Sequence, residues 1–255
     1  MTNFSPNWIV LFGGAGREES VFRMIREGLD VRKILVPIEQ SLKLSESIDA
    51  IQTTGCEVVE VDRTGISSAL EVSRGGSLIS IGFPYLISES DLNWFSVALN
   101  VHPTLLPKYR GATSGPYILI NDENETGVTV HLMTSGMDRG DIVYQKSISI
   151  SKFDTIRSIQ RKNYAVEPDA IVEAIHCLER GDEPTPQDEN QATEFPGRRV
   201  PEDSEIDPSE SLSKLYNTIR ACDPLDYPAF FWIEGQKVCV HLWRPDKPES
   251  ELDMI

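Results

Sequence analysis

Short apolar runs recur along the first hundred residues, and the segments between them carry the spacing of amphipathic helices. The runs cover residues 8–12, 33–37, 57–61, 77–82 and 97–101. Strands that are apolar along their whole length are typical of parallel sheets covered by helices on each side. The pattern therefore predicts an α/β fold, with a Rossmann-like, mainly parallel sheet and helices on both faces.

The chain continues with two more predicted strands, over 127–133 and 142–150, of which the second is expected to be antiparallel. A long amphipathic helix is predicted over 152–180, and the polar segment 181–192, with two prolines, reads as a linker. A helix over 209–222 and a hairpin over 229–233 and 238–243 follow. We therefore divide the chain into a main domain, 1–182, and a linker with a small C-terminal α+β subdomain, 183–255, too short to have a core of its own.

Charge and cysteine content exclude several classes of function. The formal net charge is −16 and no basic block occurs, which argues against nucleic acid as a partner. The four cysteines are far apart and form no CxxC pair, as expected in a reducing compartment. The chain shows no signal peptide and no apolar run of membrane-spanning length. We expect a soluble, cytoplasmic protein without a membrane partner.

The chemistry is predicted at the end of the fifth apolar run. Asn100 and His102 stand at the carboxyl end of that strand, where open α/β sheets bind ligands, and their spacing directs both side chains to the same face. Asp138 follows in a loop flanked by glycines. An amide can stabilise an oxyanion, an imidazole can move protons near neutral pH, and a carboxylate can hold the imidazole's charge. These side chains suit acyl transfer to an amine.

Structural explanations exist for each of these residues. Asn100 could be a helix cap, His102 a packed core residue, and Asp138 a solvated acid in a hairpin. Asp141 is a competing carboxylate that could only brace the loop. The combination of Asn100 and His102 with the Pro- and Gly-rich segment after them favours a site.

Other motifs are weaker. The glycines of 13–16 resemble part of a dinucleotide fingerprint, but Glu19 occupies its third glycine position, so a tight turn near a ligand is the better interpretation. His131, His176 and His241 lack the spacing of metal ligands, and His131 reads as a sheet residue. We predict no metal. There is also no GxSxG nucleophile motif, and Ser114 stands where serines usually cap helices.

Segments 100–111 and 125–145 resemble the 10-formyltetrahydrofolate-dependent formyltransferases. The resemblance implies that Asn100, His102 and Asp138 are catalytic and that 10-formyltetrahydrofolate is the co-substrate. It also implies that the pterin ring is held by the backbone of 81–87, with further contacts from the Asp138 loop. The folate-binding residues expected on this basis are Gly82, Phe83, Pro84, Tyr85, Leu86, Ile87, Met137 and Asp141.

Segments 195–204 and 219–224 are most similar to the sugar-nucleotide N-formyltransferases. The implied acceptor is a dTDP- or GDP-linked amino-deoxyhexose, of the kind used for lipopolysaccharide and O-antigen. Methionyl-tRNA formylation and formyltetrahydrofolate hydrolysis are the alternatives. Substrate contacts are expected from Lys108, Tyr109, Arg110, Gly111, Ser114, Arg198 and Arg199. The arginines suit phosphate, although they could instead pair with nearby acids.

The C-terminal hairpin carries more apolar and aromatic surface than a short tail can bury by itself. Exposed patches of this kind often mark contacts between subunits. We therefore expect a homodimer formed through the C-terminal region.

Overall fold

A computed structural model of the chain describes residues 4–112, 114–195 and 199–255. Within these residues, the strands of the large sheet are β1 Asn7–Phe12, β2 Asp30–Pro37, β3 Glu57–Val61, β4 Ser77–Ile81, β5 Val97–His102, β6 Glu125–Leu132 and β7 Ile142–Ser149. Their order in the sheet is β3-β2-β1-β4-β5-β6-β7. Strands β1 to β5 pair in parallel, whereas β6 pairs antiparallel with β5 and β7. The predicted α/β class with a mainly parallel sheet is confirmed.

Helices connect the strands and cover the sheet on both sides. One apolar cluster joins Val10, Ile34 and Ile79 to Ile171 of the long helix, and a second joins Leu11, Leu35 and Leu78 to Leu70 on the opposite face. Successive strand residues alternate between the two clusters, as the pleat requires. The helices are α1 Glu18–Arg26, α2 Ser45–Gln52, α3 Ile66–Glu71, α4 Glu89–Leu92, α5 Gly115–Ile120, α6 Ile156–Arg180 and α7 Leu212–Ala221.

Helix α6 begins four residues later than the sequence pattern suggested. Thr155 caps it by accepting a hydrogen bond from the backbone N–H of Ser158, and the Ser158 hydroxyl accepts one from the backbone N–H of Thr155. The helix ends at Gly181, whose φ of 83° is the left-handed conformation common after helices. Helix α3 was not predicted, because its six residues are too few for a clear period.

The strand order reverses between β1 and β4, since β2 and β3 lie on one side of this pair and β5 on the other. Such a switch point leaves a crevice beyond the carboxyl ends of the strands. The segments that leave β1, β4 and β5 therefore meet at one edge of the sheet, and this edge carries the cavity described below.

The predicted linker is instead part of this edge. We call residues 185–195 the strap. Thr185 exchanges two backbone hydrogen bonds of 2.8 Å with Ile142. At the other end, Arg110 donates to the Thr193 carbonyl at 2.9 Å, and Phe195 donates to the Arg110 carbonyl at 2.8 Å. Polar composition suggested a linker, but here the polar groups bind the backbone of the main domain.

The C-terminal region packs on the main domain within the same chain. Arg220 of α7 is 2% exposed and donates to the backbone carbonyls of Ser151 and Asp154 at 3.0 and 3.2 Å. Strands β8, Ala229–Ile233, and β9, Gln236–Val240, form a separate antiparallel pair, in which β8 has the predicted bounds and β9 lies closer to the turn than the predicted 238–243. Trp232 and Trp243 are 52% and 74% exposed. The homodimer stays a prediction.

Candidate active site

A cavity of about 380 Å³ lies at the carboxyl edge of the sheet. Its wall includes Arg17 after β1, the segment 82–87 after β4, the end of β5 and the loop 136–138. This is the position that the reversal of strand order predicts for a ligand.

Asn100, His102 and Asp138 converge on this cavity, although 36 residues separate the last two. One carboxylate oxygen of Asp138, Oδ2, lies 3.4 Å from His102 Nδ1 and accepts a hydrogen bond of 2.9 Å from the backbone N–H of Gly111. The other oxygen, Oδ1, accepts one of 3.4 Å from Asn100 Nδ2. The carboxylate of Asp138 thus connects the amide and the imidazole.

The tautomer of His102 follows from its second contact. His102 Nε2 lies 2.8 Å from the carbonyl oxygen of Tyr109. Because a carbonyl can only accept, Nε2 carries the proton of the neutral ring. Nδ1 then has a free lone pair facing Asp138. A proton taken up at Nδ1 would complete an imidazolium–carboxylate pair, which suits this nitrogen to act as a base.

Burial sets the resting charges. It lowers the pKa of His102 below its usual 6.5, although Asp138 and the Tyr109 carbonyl favour the protonated ring. Burial alone would raise the pKa of Asp138, but contacts with His131, His102 and the Gly111 N–H outweigh it and bring that pKa to about 2. The resting site therefore holds a neutral imidazole beside an ionised carboxylate.

The sequence interpretation missed His131. It is a strand residue, as expected, but it also lines the cavity and lies opposite Asn100 in the β5–β6 pairing. Its Nδ1 donates to the Leu132 carbonyl at 2.8 Å, which leaves the lone pair of Nε2 to accept from Asn100 Nδ2 at 3.1 Å. His131 therefore fixes the orientation of the Asn100 amide. The β5–β6 pairing was the signal that would have revealed it.

The loop carrying Asp138 depends on its glycines. Asp138 itself has a φ of 54°, which is uncommon for a residue with a Cβ. A Cβ at Gly140 would lie 1.8 Å from the Leu132 carbonyl oxygen, so only glycine lets the two segments approach this closely. The close approach returns the chain to the sheet directly after Asp138.

The expected folate-binding segment lies along the cavity. All residues of 82–87 line it, together with Met137. Phe83 and Tyr85 pack edge to face at 5.2 Å, and Leu86 is 70% exposed. Asp141 does not line the cavity, and its backbone carbonyl accepts from the Leu132 N–H at 2.9 Å. It braces the loop, which was the alternative considered for this residue.

Most of the residues predicted to contact the acceptor substrate do not line the cavity. Gly111 lines the cavity, whereas Lys108 is on the surface near Glu123, and the Ser114 hydroxyl donates to the Gly111 carbonyl at 3.1 Å. The buried ring of Tyr109 stacks on Phe195 and its hydroxyl donates to Glu123 at 2.8 Å.

The arginines differ from expectation as well. Arg110 is 2% exposed and bound to Gln187 and Glu189, so its predicted phosphate contact is corrected to a structural role. Arg199 contacts the Asp203 carbonyl, the Ser204 hydroxyl and Cys222. Arg198 lies outside the described residues.

Arg17, which lines the cavity, belongs to a buried ion pair. Arg17 and Glu167 are 6% and 1% exposed, and the carboxylate binds the guanidinium through both Nε and Nη2. Ser20 donates a further hydrogen bond of 2.7 Å to Glu167. The positive charge of Arg17 also helps to lower the pKa of His102. The two residues are 150 positions apart in the sequence, so no local sequence pattern indicates the pair.

In 4–112, 114–195 and 199–255, no helix is long and apolar enough to cross a membrane. Over the same ranges, no group of three or more His, Cys, Asp or Glu residues is placed to hold a metal ion.

The chain is similar in sequence to proteins of one known family. The formyl transferase family matches residues 38–175, just over half of the chain. Methionyl-tRNA formyltransferase from Streptococcus pyogenes serotype M6 is 31% identical over 181 residues, which are 70% of this chain. The match spans only 58% of that curated relative's own length.

Solved structures resemble the chain over most of its length. A 4-N formyltransferase from Francisella tularensis has a TM-score of 0.78 at 19% identity, covering 92% of this chain and 96% of that one. An N-formyltransferase from Helicobacter canadensis, in complex with folinic acid and dTDP-3-aminofucose, has a TM-score of 0.70 at 19% identity, covering 92% and 86%. At these identities the likeness establishes the fold.

Proposed function

The chain belongs to the formyl transferase family, and from that premise we propose that it transfers a formyl group from 10-formyltetrahydrofolate to the primary amine of a nucleotide-linked amino sugar. The observation that carries the proposal is the convergence of Asn100, His102 and Asp138 on one cavity. These side chains supply an oxyanion donor, a base with a free lone pair and a countercharge for the protonated base.

The first step is attack of the neutral amine on the formyl carbon attached to N10. The carbonyl oxygen gains negative charge as the C–N bond forms, and Asn100 Nδ2 stabilises it by a hydrogen bond. That nitrogen already donates to His131 at 3.1 Å and, more weakly, to Asp138 at 3.4 Å. The longer contact is the one that the oxyanion can replace without disturbing the amide's orientation.

The proton movements involve His102 and Asp138. His102 Nδ1 takes the surplus proton from the attacking amine, and the ionised Asp138 stabilises the resulting imidazolium. Collapse of the intermediate breaks the bond between the formyl carbon and N10. The imidazolium then returns its proton to N10 as the folate leaves, so His102 ends the cycle neutral, as it began.

The folate is proposed to lie along segment 82–87. Phe83, Leu86 and Met137 supply apolar wall for a pteridine, and the segment's backbone groups are available to its polar edge. Asp141 does not line the cavity and is not among the proposed folate contacts. No described residues form a metal cluster, and every step above uses the chain's own side chains and the two substrates.

The amino sugar is favoured over tRNA by charge and by the extent of the likeness. A net charge of −16 opposes binding of a phosphate backbone. The likeness to each of the two solved relatives named above covers 92% of this chain, whereas the match to the tRNA enzyme covers 70% of it. A dTDP-linked sugar is the first choice because the Helicobacter canadensis protein was crystallised with one. Cytoplasmic location, the homodimer and a role in surface polysaccharides stay predictions.

The test is incubation of the purified protein with 10-formyltetrahydrofolate and a panel of dTDP- and GDP-linked 3- and 4-amino-deoxyhexoses. We expect one acceptor to gain the mass of one formyl group, and His102→Ala to abolish the gain. Formylation of methionyl-tRNA instead, the candidate favoured by the 31% identity, would replace the proposal. Release of formate without any amine would identify a hydrolase.

A further inference from the structure

We propose that Gln187, on the strap, is a positioning residue for Asp138 and that Arg110 holds it in place. The inference deepens the proposed function and rests on it. Gln187 Nε2 donates hydrogen bonds of 2.9 Å to the Asp138 carbonyl and 2.7 Å to the Gly140 carbonyl. One side-chain amide thus binds the backbone of the loop on both sides of Arg139.

The loop needs such a contact. Asp138 has a φ of 54°, a conformation in which a side chain is strained unless its surroundings fix it. Its carboxylate must also remain within reach of His102 Nδ1, now at 3.4 Å. That contact is long, so a small relaxation of the loop would break it. The two bonds from Gln187 oppose this relaxation directly at the strained residue.

The orientation of the Gln187 amide is unambiguous. Its Oε1 accepts from Arg110 Nε at 3.1 Å and from Arg110 Nη2 at 2.8 Å. A guanidinium has no acceptor and a carbonyl has no donor, so the amide cannot be reversed. Arg110 is fixed in turn, because it is 2% exposed and also binds Glu189.

The strap secures the same carboxylate by a second route. Gly111, whose N–H donates to Asp138 Oδ2 at 2.9 Å, follows the residue that exchanges backbone bonds with the strap at 193–195. A Cβ at Gly111 would lie 2.3 Å from the Phe195 carbonyl oxygen, which shows how closely the two segments pack. The strap therefore holds both the backbone and the carboxylate of Asp138 at the site.

The kinetic test compares Gln187→Met with a matched control, Gln191→Met. Gln191 is on the same strap, but its amide donates only to Asp188, in an exposed contact. We expect Gln187→Met to lower kcat by up to about 100-fold, as misplacement of a catalytic group does, with KM values for folate and amine little changed. Gln191→Met should match the wild type.

A double mutant separates positioning from general damage. If Gln187 acts through the carboxylate of Asp138, Gln187→Met will have little further effect on kcat in an Asp138→Asn background. Full additivity of the two effects would overturn the proposal. Should Gln187→Met fail to fold, Gln187→Glu serves in the same cycle, because it keeps a partner for Arg110 and loses both donors.

A measurement without turnover keeps this inference separate from the proposed function. The imidazole of His102 faces Asp138, His131, Arg17 and the Tyr109 carbonyl, and Asp138 is the carboxylate that favours its protonation. Titration by NMR should show a lower pKa for His102 in Gln187→Met than in the wild type, in the direction of Asp138→Asn. An unchanged pKa would overturn the proposal, even if no amine is ever formylated by this chain.

Discussion

Glu167→Gln would leave a buried guanidinium without its countercharge. Arg17 and Glu167 are 6% and 1% exposed, and the carboxylate binds Arg17 through two nitrogens and Ser20 through its hydroxyl. Removing one partner of a buried pair costs roughly 3–5 kcal/mol, because the remaining charge has lost both water and partner. For a domain of this size, that corresponds to a fall in Tm of roughly 6–20 °C.

The assay is urea unfolding followed by circular dichroism, which yields the midpoint and its slope m. Asp169→Asn is the matched control, since Asp169 pairs with Arg23 across the same two helices but is 79% exposed. Its midpoint should stay close to that of the wild type. The double variant Arg17→Met/Glu167→Leu should recover most of the lost stability, because apolar side chains of similar size carry no unpaired charge.

Two results would refute this reasoning. If Glu167→Gln unfolds at the wild-type midpoint with the same m, water reaches the guanidinium through the cavity, and loss of its partner has no measurable free-energy cost. If the double variant is less stable than Glu167→Gln alone, shape and packing at these positions matter more than charge.

Three further predictions concern the site itself. Asn100→Ala should lower kcat about 100- to 1,000-fold with an unchanged circular dichroism spectrum, as loss of an oxyanion donor does, and a near-normal rate would remove Asn100 from the mechanism. Gly111→Ala should cost roughly 1–3 kcal/mol in urea unfolding, because its φ is 111° and a Cβ would lie 2.3 Å from the Phe195 carbonyl oxygen. Gly16→Ala should cost less, because Gly16 shares a positive φ, 77°, but has open space around its Cβ. The pKa of Asp138 is lowered from 3.8 to about 2, so its ionised carboxylate stabilises the fold above pH 4 and this stabilisation is lost as the pH falls towards 2. The difference in unfolding free energy between the wild type and Asp138→Asn should therefore shrink between pH 4 and pH 2. A constant difference over that range would contradict the lowered pKa.

The sheet and the convergence of Asn100 and His102 could be predicted because their signals are local. Each strand is a short apolar run, and Asn100 and His102 are two residues apart on one strand, so alternation alone places them together. The glycines around Asp138 mark its loop, but the choice of Asp138 over Asp141 came from the resemblance of segment 125–145 to the formyltransferases.

The remainder of the site depends on pairing between distant segments. His131 matters because β6 lies antiparallel beside β5 and places it opposite Asn100. Arg17 finds its partner on α6, and Arg110 finds Gln187 on the strap, 77 residues later. From sequence alone, an arginine with acidic residues nearby can be interpreted equally as a phosphate contact or as one member of an ion pair, because only the tertiary structure shows which group it binds. The polar composition of the strap likewise led to the prediction of a linker, because composition does not show which groups the polar side chains bind.

The strap also has a consequence for the order in which the molecule matures during synthesis. A ribosome that has released the chain as far as α6 has released every strand of the large sheet, yet the segment that restrains the Asp138 loop is still missing. The nascent protein would then form its hydrophobic core before its active site is complete, and it would become active only when residues 185–195 pack against the main domain. Fragments ending near Asp182 should therefore fold without becoming enzymes.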